Sequence, residues 1–229
     1  MIYLDHAATT PVTPTVAAVM AKALTEDFGN PSSQYALGRA AKARLEADRR
    51  DIAAALGGEA GRLFFTSGGT EGDNWAIQAA LWQNRRAGRH IITTAVEHSA
   101  VLEPLKALAG YEVTYLKPDG NGQIAAAQVE EALRPDTALV SVMLVNNETG
   151  CIFPVGETAQ VLRRHKSAAL LHTDAVQAFL KMPFTVKDLG ADLITLSGHK
   201  IGGPKGVGAL YIGERLSAPR PLLFGGGQE

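Results

Sequence analysis

The sequence predicts an α/β fold, a three-layer sandwich in which helices cover both faces of a mainly parallel sheet. Short apolar runs alternate with segments of helical periodicity along most of the chain. The runs are apolar throughout rather than at every second position, which is typical of strands buried on both faces. With 229 residues, 46% of them hydrophobic, the chain can bury one large core.

The composition excludes several classes of function. The 22 basic and 23 acidic residues nearly balance, so the sequence predicts no charged face for nucleic acid or an anionic membrane. Its single cysteine, Cys151, excludes an internal disulfide framework and suits a reducing compartment. The first residues lack the features of a signal peptide, and no apolar run has membrane-spanning length. We therefore expect a soluble, cytoplasmic protein.

The N-terminal part is predicted to be an ordered arm followed by two helices. Thr13 is a good N-cap with a proline after it, and the first helix is expected to end before the Gly-Asn-Pro at 29–31. Ser32 or Ser33 is expected to cap the second helix, which the glycine pair at 57–58 ends.

Strands and helices alternate from residue 62 onwards. Strands are predicted at 62–66, 90–95, 111–116, 138–145, 169–172, 192–196 and 207–212. Helices are predicted at 72–86, 99–108, 125–133, 155–165 and, as a short helix, 175–179. The glycine-rich loop between the last two strands is too short for a parallel crossover, so the last strand is predicted to be antiparallel.

The loop after the first strand, residues 66–72, suits an anion. Hydroxyls and glycines there stand between a strand and a helix N-terminus, where free N–H groups and the helix dipole favour phosphate. The loop is neither a Walker A loop nor a Rossmann fingerprint, so it indicates phosphate but not a nucleotide. A tight turn in which Thr70 caps the helix explains these residues nearly as well.

Ligands of such sheets lie at the carboxyl ends of the strands, where three more loops carry polar groups. His98 could lie against a flat aromatic ligand or move protons, although it could also be a helix cap. Asn146 and Asn147 follow an apolar strand and are a weak signal. Asp174 could pair with a protonated ring nitrogen and Gln177 could reach a ring oxygen, whereas a helix N-cap is the alternative for Asp174.

The stretch that joins the last two predicted strands contains a hydroxyl, an imidazole and an amine, at Ser197, His199 and Lys200. Desolvation at a strand end lowers the pKa of a lysine amine towards nucleophilic use. The alternative is a glycine-rich connection whose two lysines, Lys200 and Lys205, are both solvated. Together, the loops supply a phosphate cradle, an imidazole, a carboxylate, an amide and a lysine, the set that pyridoxal 5′-phosphate requires.

These motifs, taken in order, resemble those of the cysteine desulfurases, fold-type I pyridoxal phosphate enzymes related to the class V aminotransferases. The resemblance extends along the whole chain. The motifs are DHAATTP at 5–11, GNPSS at 29–33, TSGGTE at 66–71, EH at 97–98, NNETG at 146–150, Asp174, Gln177 and SGHK at 197–200. The resemblance implies that residues 1–229 are an N-terminal arm plus the large cofactor-binding domain of this fold.

The resemblance also implies a role for each site residue. Lys200 would bind pyridoxal phosphate covalently, and His98 would stack on the ring; these two are the implied catalytic residues. Asp174 would keep the ring nitrogen protonated, and Gln177 and Asn147 would surround the ring oxygen. The phosphate would be held by Gly69, Thr70, Ser197 and His199, and Gly198 is assigned to the cofactor site as well. No metal is implied.

The implied reaction removes sulfur from L-cysteine and gives L-alanine and an enzyme persulfide. A sulfur-acceptor or iron–sulfur scaffold protein, or tRNA thiolation, would use that sulfur, and the enzyme would be a homodimer. Two alternatives stay open. One is another class V enzyme such as a selenocysteine lyase, and the other is a non-catalytic binding module that keeps the fold.

The chain departs from the family pattern at two places. Tyr35 stands where the family commonly has a histidine. The sequence also stops at Glu229, before the small domain, the persulfide-forming cysteine and the carboxylate-binding arginine of the family, and Cys151 does not match the motif of that cysteine. We therefore expect the chain alone to lack turnover.

Overall fold

The computed structural model describes residues 2–216 and 219–226. Its helices are α1 (Pro14–Thr25), α2 (Ala36–Ala55), α3 (Gly69–Gln83), α4 (Ser99–Ala107), α5 (Ala126–Ala132), α6 (Val155–Arg164) and α7 (Val186–Leu189). Its strands are β1 (Leu63–Thr66), β2 (His90–Thr94), β3 (Glu112–Leu116), β4 (Thr137–Ser141), β5 (Leu170–Asp174), β6 (Leu193–Ser197) and β7 (Gly208–Ile212). The proposed domain, residues 1–229, includes Met1, 217–218 and 227–229, which lie outside the described residues.

The seven strands form one sheet in the order β1-β7-β6-β5-β4-β2-β3. Strands β2 to β6 pair in parallel, whereas β7 is antiparallel to both of its neighbours, β6 and β1. The predicted mainly parallel sheet with an antiparallel strand near its C-terminal end is therefore confirmed. The antiparallel strand lies inside the sheet, because β1 pairs with its far edge.

Two hydrophobic clusters show that the sheet is covered on both faces. Leu139 and Leu170 belong to one cluster, and their chain neighbours Val140 and Leu171 belong to the other. Successive side chains of a strand point to opposite faces, so the clusters lie on opposite sides of the sheet. Residues of α3 and α4 belong to the first cluster, and residues of α2, α5 and α6 to the second. The predicted three-layer sandwich is confirmed.

The two N-terminal helices are present, and one of the two predicted caps is correct. Thr13 caps α1, since its side-chain oxygen accepts a hydrogen bond from Val16 N at 3.3 Å. The serine cap of α2 is wrong, because α2 begins at Ala36 after Tyr35 and has no side-chain cap. Among the described residues, no helix combines the length and the apolar character that crossing a bilayer requires.

The short helix predicted at 175–179 is wrong. The segment forms successive turns in which Ala178 N and Phe179 N both donate to Ala175 O. Leu180 then adopts a φ of 55°, a left-handed conformation that an α-helix cannot contain. The nearest helix is the four-residue α7, capped by Thr185. Asp174 therefore ends β5 beside a turn and does not begin a helix.

Candidate active site

A cavity of about 690 Å³ opens where the carboxyl ends of the parallel strands meet. Nine of the ten sequence-predicted cofactor-site residues line it, namely Gly69, Thr70, His98, Asn147, Asp174, Gln177, Ser197, His199 and Lys200. The exception, Gly198, lines a separate apolar cavity of about 280 Å³. These residues lie at or just after the ends of five strands, β1, β2, β4, β5 and β6. The fold thus brings together side chains that are up to 131 positions apart in the sequence, from Gly69 to Lys200.

Lys200 reaches the cavity from a single turn of 3₁₀ helix, Gly198–Lys200, that follows β6. Its Nζ donates to the carbonyl oxygens of Ala7 at 2.6 Å and of Ala8 at 2.7 Å. Partial burial lowers the pKa of Lys200, and the carboxylates of Asp174 and Asp5 oppose this shift. A depressed amine pKa increases the fraction of neutral, nucleophilic amine near neutral pH.

His98 is both a helix cap and a cavity residue, so neither sequence alternative excludes the other. It is the N-cap of α4, and its Nδ1 accepts from Ala100 N at 3.1 Å. A backbone N–H can only donate, so the neutral imidazole carries its proton on Nε2. The cap therefore fixes both the tautomer and the orientation of the ring at the cavity wall.

Asn146 and Asn147 have different tasks. Asn146 Oδ1 accepts from Glu148 N at 3.0 Å and Thr149 N at 2.9 Å, and its Nδ2 donates to Val96 O at 3.0 Å. These bonds fix the loop after β4, and Asn147 is the residue that lines the cavity. The weak sequence signal at the asparagine pair thus separates into one loop residue and one cavity residue.

Asp174 is buried at the end of β5, where its Oδ1 accepts from Val176 N at 2.8 Å. Burial and, to a smaller extent, the nearby Asp73 carboxyl raise the pKa of Asp174 to about 7. The Val176 N–H and the imidazoles of His172 and His98 act in the opposite direction. A cationic group in the cavity would stabilise the ionised form, so this carboxyl is suited to a protonated ring nitrogen.

The anion-binding end of the cavity is built around the first turn of α3. Gly69 and Thr70 begin this helix, where backbone N–H groups have no partner within the helix. A Cβ at Gly69 would lie only 3.0 Å from Val176 Cγ2, so glycine lets the helix approach this wall. Ser197 and His199 line the cavity as well, and His199 Nδ1 lies 3.0 Å from Thr9 Oγ1.

The sequence analysis gave no role to two buried acids, Asp73 and Glu97, although it includes Glu97 in a family motif. Asp73, one turn after Gly69 on α3, lines the cavity, and burial raises its pKa to about 7. Glu97 accepts from Thr94 Oγ1 at 2.8 Å and from Met143 N at 2.9 Å, and burial raises its pKa to about 8. The spacing of Asp73 from Gly69 on one helical face could have indicated the first.

Asp73 Oδ1 lies 3.5 Å from His172 Nε2, but this contact is not an ion pair near neutral pH. Burial lowers the pKa of His172 to about 4, so the imidazole is neutral. The ring instead contacts two hydroxyls, Ser141 Oγ at 2.8 Å and Thr195 Oγ1 at 3.0 Å. Among the described residues, Asp73 Oδ1 has no hydrogen-bond partner. It is therefore an unsatisfied buried acceptor at the cavity.

The cavity residues fit pyridoxal 5′-phosphate. An amine, a carboxyl, an imidazole and a helix N-terminus match the aldehyde, the ring nitrogen, the flat ring and the phosphate of this cofactor. The volume lies in the range of small-molecule sites, and the unsatisfied Asp73 oxygen adds negative potential beside a ring that binds as a cation. In the described residues, no group of three or more potential ligands could hold a metal ion.

The fold and the site together define an α/β domain with a lysine-containing cavity at the carboxyl rim of its sheet. Residues 2–229 match the family described as Aminotransferase class-V. The chain belongs to this family, whose cofactor is pyridoxal 5′-phosphate.

The relatives that the chain matches have more specific names than the family. The chain is 46% identical to "Cysteine desulfurase IscS" of Methanosarcina thermophila over 230 residues, which is 100% of this chain and 56% of that protein. The solved structure "SspA in complex with cysteine" superposes with a TM-score of 0.92 at 38% identity, over 100% of this chain and 66% of that one. "NIFS-LIKE PROTEIN" has a TM-score of 0.94 at 39% identity, over 99% and 62%. The chain thus spans less than two thirds of the length of these relatives.

Proposed function

We propose that this chain is the cofactor-binding part of a pyridoxal phosphate-dependent cysteine desulfurase. The observation that carries the proposal is that Lys200, Asp174 and His98 line one cavity at the carboxyl rim of the sheet. The names of the relatives and the cysteine complex of one of them support the choice of L-cysteine as the substrate.

Each proposed residue acts on a different part of the site. Lys200 would hold the cofactor through Nζ, and its free amine would move protons near the substrate. His98 would face the ring and offer its Nε2–H. Asp174 would keep the ring nitrogen protonated. Bound pyridoxal phosphate supplies an electron sink for carbanion character at the substrate Cα.

The proposed reaction transfers the cysteine sulfur to an enzyme thiol. The C–S bond of L-cysteine breaks and an S–S bond forms, so that L-alanine and a persulfide are the products and no external oxidant is needed. Cys151 is not the proposed acceptor, because it does not line the cavity and its Sγ lies 3.8 Å from Asn121 O in a surface loop. Because Cys151 is the only cysteine of the 229 residues, the proposed acceptor thiol is not among them.

The biological setting is also a proposal. We infer a cytoplasmic homodimer that passes its sulfur to an acceptor or an iron–sulfur scaffold protein. The names of the relatives and a sequence with one cysteine, suited to a reducing compartment, support this setting.

The test is to mix the chain with pyridoxal phosphate, record its visible absorbance, reduce it with borohydride and map the modified peptide. We expect one pyridoxyl group, on Lys200. Lys200→Ala should abolish the adduct completely, and the matched Lys205→Ala should leave it unchanged. The same samples, assayed with L-cysteine and a reductant, should release no alanine or sulfide catalytically. An adduct on Lys205, or no adduct, would contradict the cofactor site, and turnover that Cys151→Ser abolishes would contradict the acceptor assignment.

A further inference from the structure

The N-terminal arm, defined as residues 5–10, lies directly beside the catalytic lysine although it is almost 200 positions away in sequence. Thr10 anchors its end, since Thr10 N and Oγ1 each donate to His199 O at 2.8 Å. Gly202 N donates back to Thr10 Oγ1 at 2.7 Å. Asp5 shapes the start of the arm, where its Oδ1 accepts from Ala8 N at 3.2 Å. The arm is thus anchored at its C-terminal end by Thr10 and folded on itself at its start.

Within the arm, the carbonyl oxygens of Ala7 and Ala8 both contact the amine of Lys200. Lys200 Nζ donates to Ala7 O at 2.6 Å and to Ala8 O at 2.7 Å. Distances of about 2.7–2.9 Å are typical of charge-assisted hydrogen bonds from an ammonium group. Gln177 Nε2 also donates to Ala7 O, at 2.8 Å. Peptide oxygens can accept but not donate, so this pair favours the protonated amine.

We infer that the carbonyl oxygens of Ala7 and Ala8 are the binding site of the Lys200 ammonium group whenever that lysine is not bonded to the cofactor. The inference rests on the proposed role of Lys200 as the cofactor lysine. The arm is then a positioning element of the active site. It holds the free amine within reach of the cavity and keeps it from rotating into solvent.

The geometry implies two exclusive positions for the amine. A nitrogen held as an ammonium by two carbonyls has no lone pair to offer, so Lys200 must lose a proton and leave the arm before it can act as a nucleophile. Once free of the cofactor, the Lys200 amine would be held by the same two oxygens again. The arm carbonyls bind Lys200 when this lysine is free and do not bind it when it is bonded to the cofactor. Their resonances therefore report directly on the position of the amine.

The sequence offers an unambiguous probe of this reporter. Ala8-Thr9 is the only Ala-Thr dipeptide in the 229 residues, so labelling alanine with ¹³C at the carbonyl and threonine with ¹⁵N gives a single correlated NMR signal. In the cofactor-free chain, we expect the Ala8 carbonyl resonance downfield of its position in Lys200→Met. Loading the wild type with pyridoxal phosphate should move it to the Lys200→Met position.

The matched control is Lys181→Met, which removes a neighbouring amine that donates to Gln177 Oε1 at 3.0 Å rather than to the arm. It should leave the Ala8 signal in place. Thr10→Val keeps Lys200 but removes two anchoring bonds, so it should move the signal part of the way towards the Lys200→Met position. An identical Ala8 resonance in the wild type and Lys200→Met, both free of cofactor, would overturn the inference. That comparison needs no cofactor, so it remains decisive even if the proposed function fails.

Discussion

Both ends of the sheet bury carboxyl groups, but among the described residues only Asp192, at the amino end, pairs with a cationic side chain. Asp192 lies at the amino end of β6, where its Oδ2 accepts from Leu171 N at 2.8 Å and from Arg215 Nη1 at 3.0 Å. At the carboxyl end, Asp73 and Asp174 are buried beside the cavity, and one oxygen of Asp73 has no partner among the described residues. Burial raises the pKa of all three acids.

This difference in partners distinguishes an acid that stabilises the fold from acids that are available to a ligand. A buried acid that receives a backbone N–H and a guanidinium completes the fold around it. Buried acids that face a cavity without a cationic partner destabilise the protein until a cationic ligand group binds. The chain itself therefore compensates the buried acid at the amino end, and on the proposed function the cofactor would compensate those at the carboxyl end.

The largest expected effect comes from replacing one buried acid at each end of the sheet, in two separate variants. Asp174→Asn removes a charge-assisted bond to the cofactor ring worth about 1.5–3 kcal/mol, so pyridoxal phosphate affinity should fall about 10- to 150-fold. Asp192→Ala leaves Leu171 N–H without its acceptor and should lower the free energy of unfolding by about 1–3 kcal/mol. Titration of the visible absorbance and urea unfolding measure the two quantities on both variants.

Each variant controls for the other. Asp174→Asn should leave the free energy of unfolding without cofactor equal to or above that of the wild type, and Asp192→Ala should leave cofactor affinity nearly unchanged. A loss of stability in Asp174→Asn similar to that of Asp192→Ala would mean that both ends are structural, and the comparison would fail.

The next effect is a pH dependence that Glu97 produces. Burial raises its pKa from 4.5 to about 8, so the folded chain keeps a proton that the unfolded chain loses. The contribution of Glu97 to stability should therefore be complete below pH 4.5 and should be lost as the pH rises towards 8, by at most about 1.4 kcal/mol per pH unit. Glu97→Gln should flatten this slope and make the cofactor-free chain more stable than the wild type at pH 8.

The matched control is Glu148→Gln, which changes an exposed carboxylate that lines a neighbouring cavity together with Glu97. Urea unfolding between pH 4 and 8 should give this variant the wild-type slope. If Glu97→Gln also keeps the wild-type slope, Glu97 is already ionised in the folded chain and burial does not raise its pKa.

The smallest effect compares two glycines that belong to different cavities. A Cβ would lie 3.0 Å from Val176 Cγ2 at Gly69 and 3.0 Å from Val207 Cγ1 at Gly198. Each substitution by alanine should lower the free energy of unfolding by about 1 kcal/mol. Only Gly69→Ala should also weaken pyridoxal phosphate binding, by about fivefold, because only Gly69 lines the polar cavity. An equal loss of pyridoxal phosphate affinity in Gly198→Ala would mean that Gly198 belongs to the cofactor site, as the sequence predicts.

Local patterns predicted the site well where a strand end alone defines the position. Asp174, His98 and Lys200 each follow an apolar run, and the parallel sheet brings such ends to one rim. The pattern failed at 175–179, where alanines and an aromatic residue suit a helix but the chain turns at Leu180 with a φ of 55°. Backbone conformation there follows tertiary packing and not the propensity of the residues.

The alternation of strands and helices, the antiparallel last strand and the polar residues at the rim could all be predicted from the sequence, because each depends on periodicity, loop length or a position next to a strand. The burial of Asp73 and Glu97, the ion pair of Asp192 with Arg215 and the contact of the N-terminal arm with Lys200 depend on the three-dimensional fold. The physical reason is distance along the chain. Lys200 and its two carbonyl partners are 192 and 193 residues apart, and no local pattern carries the position of such a contact.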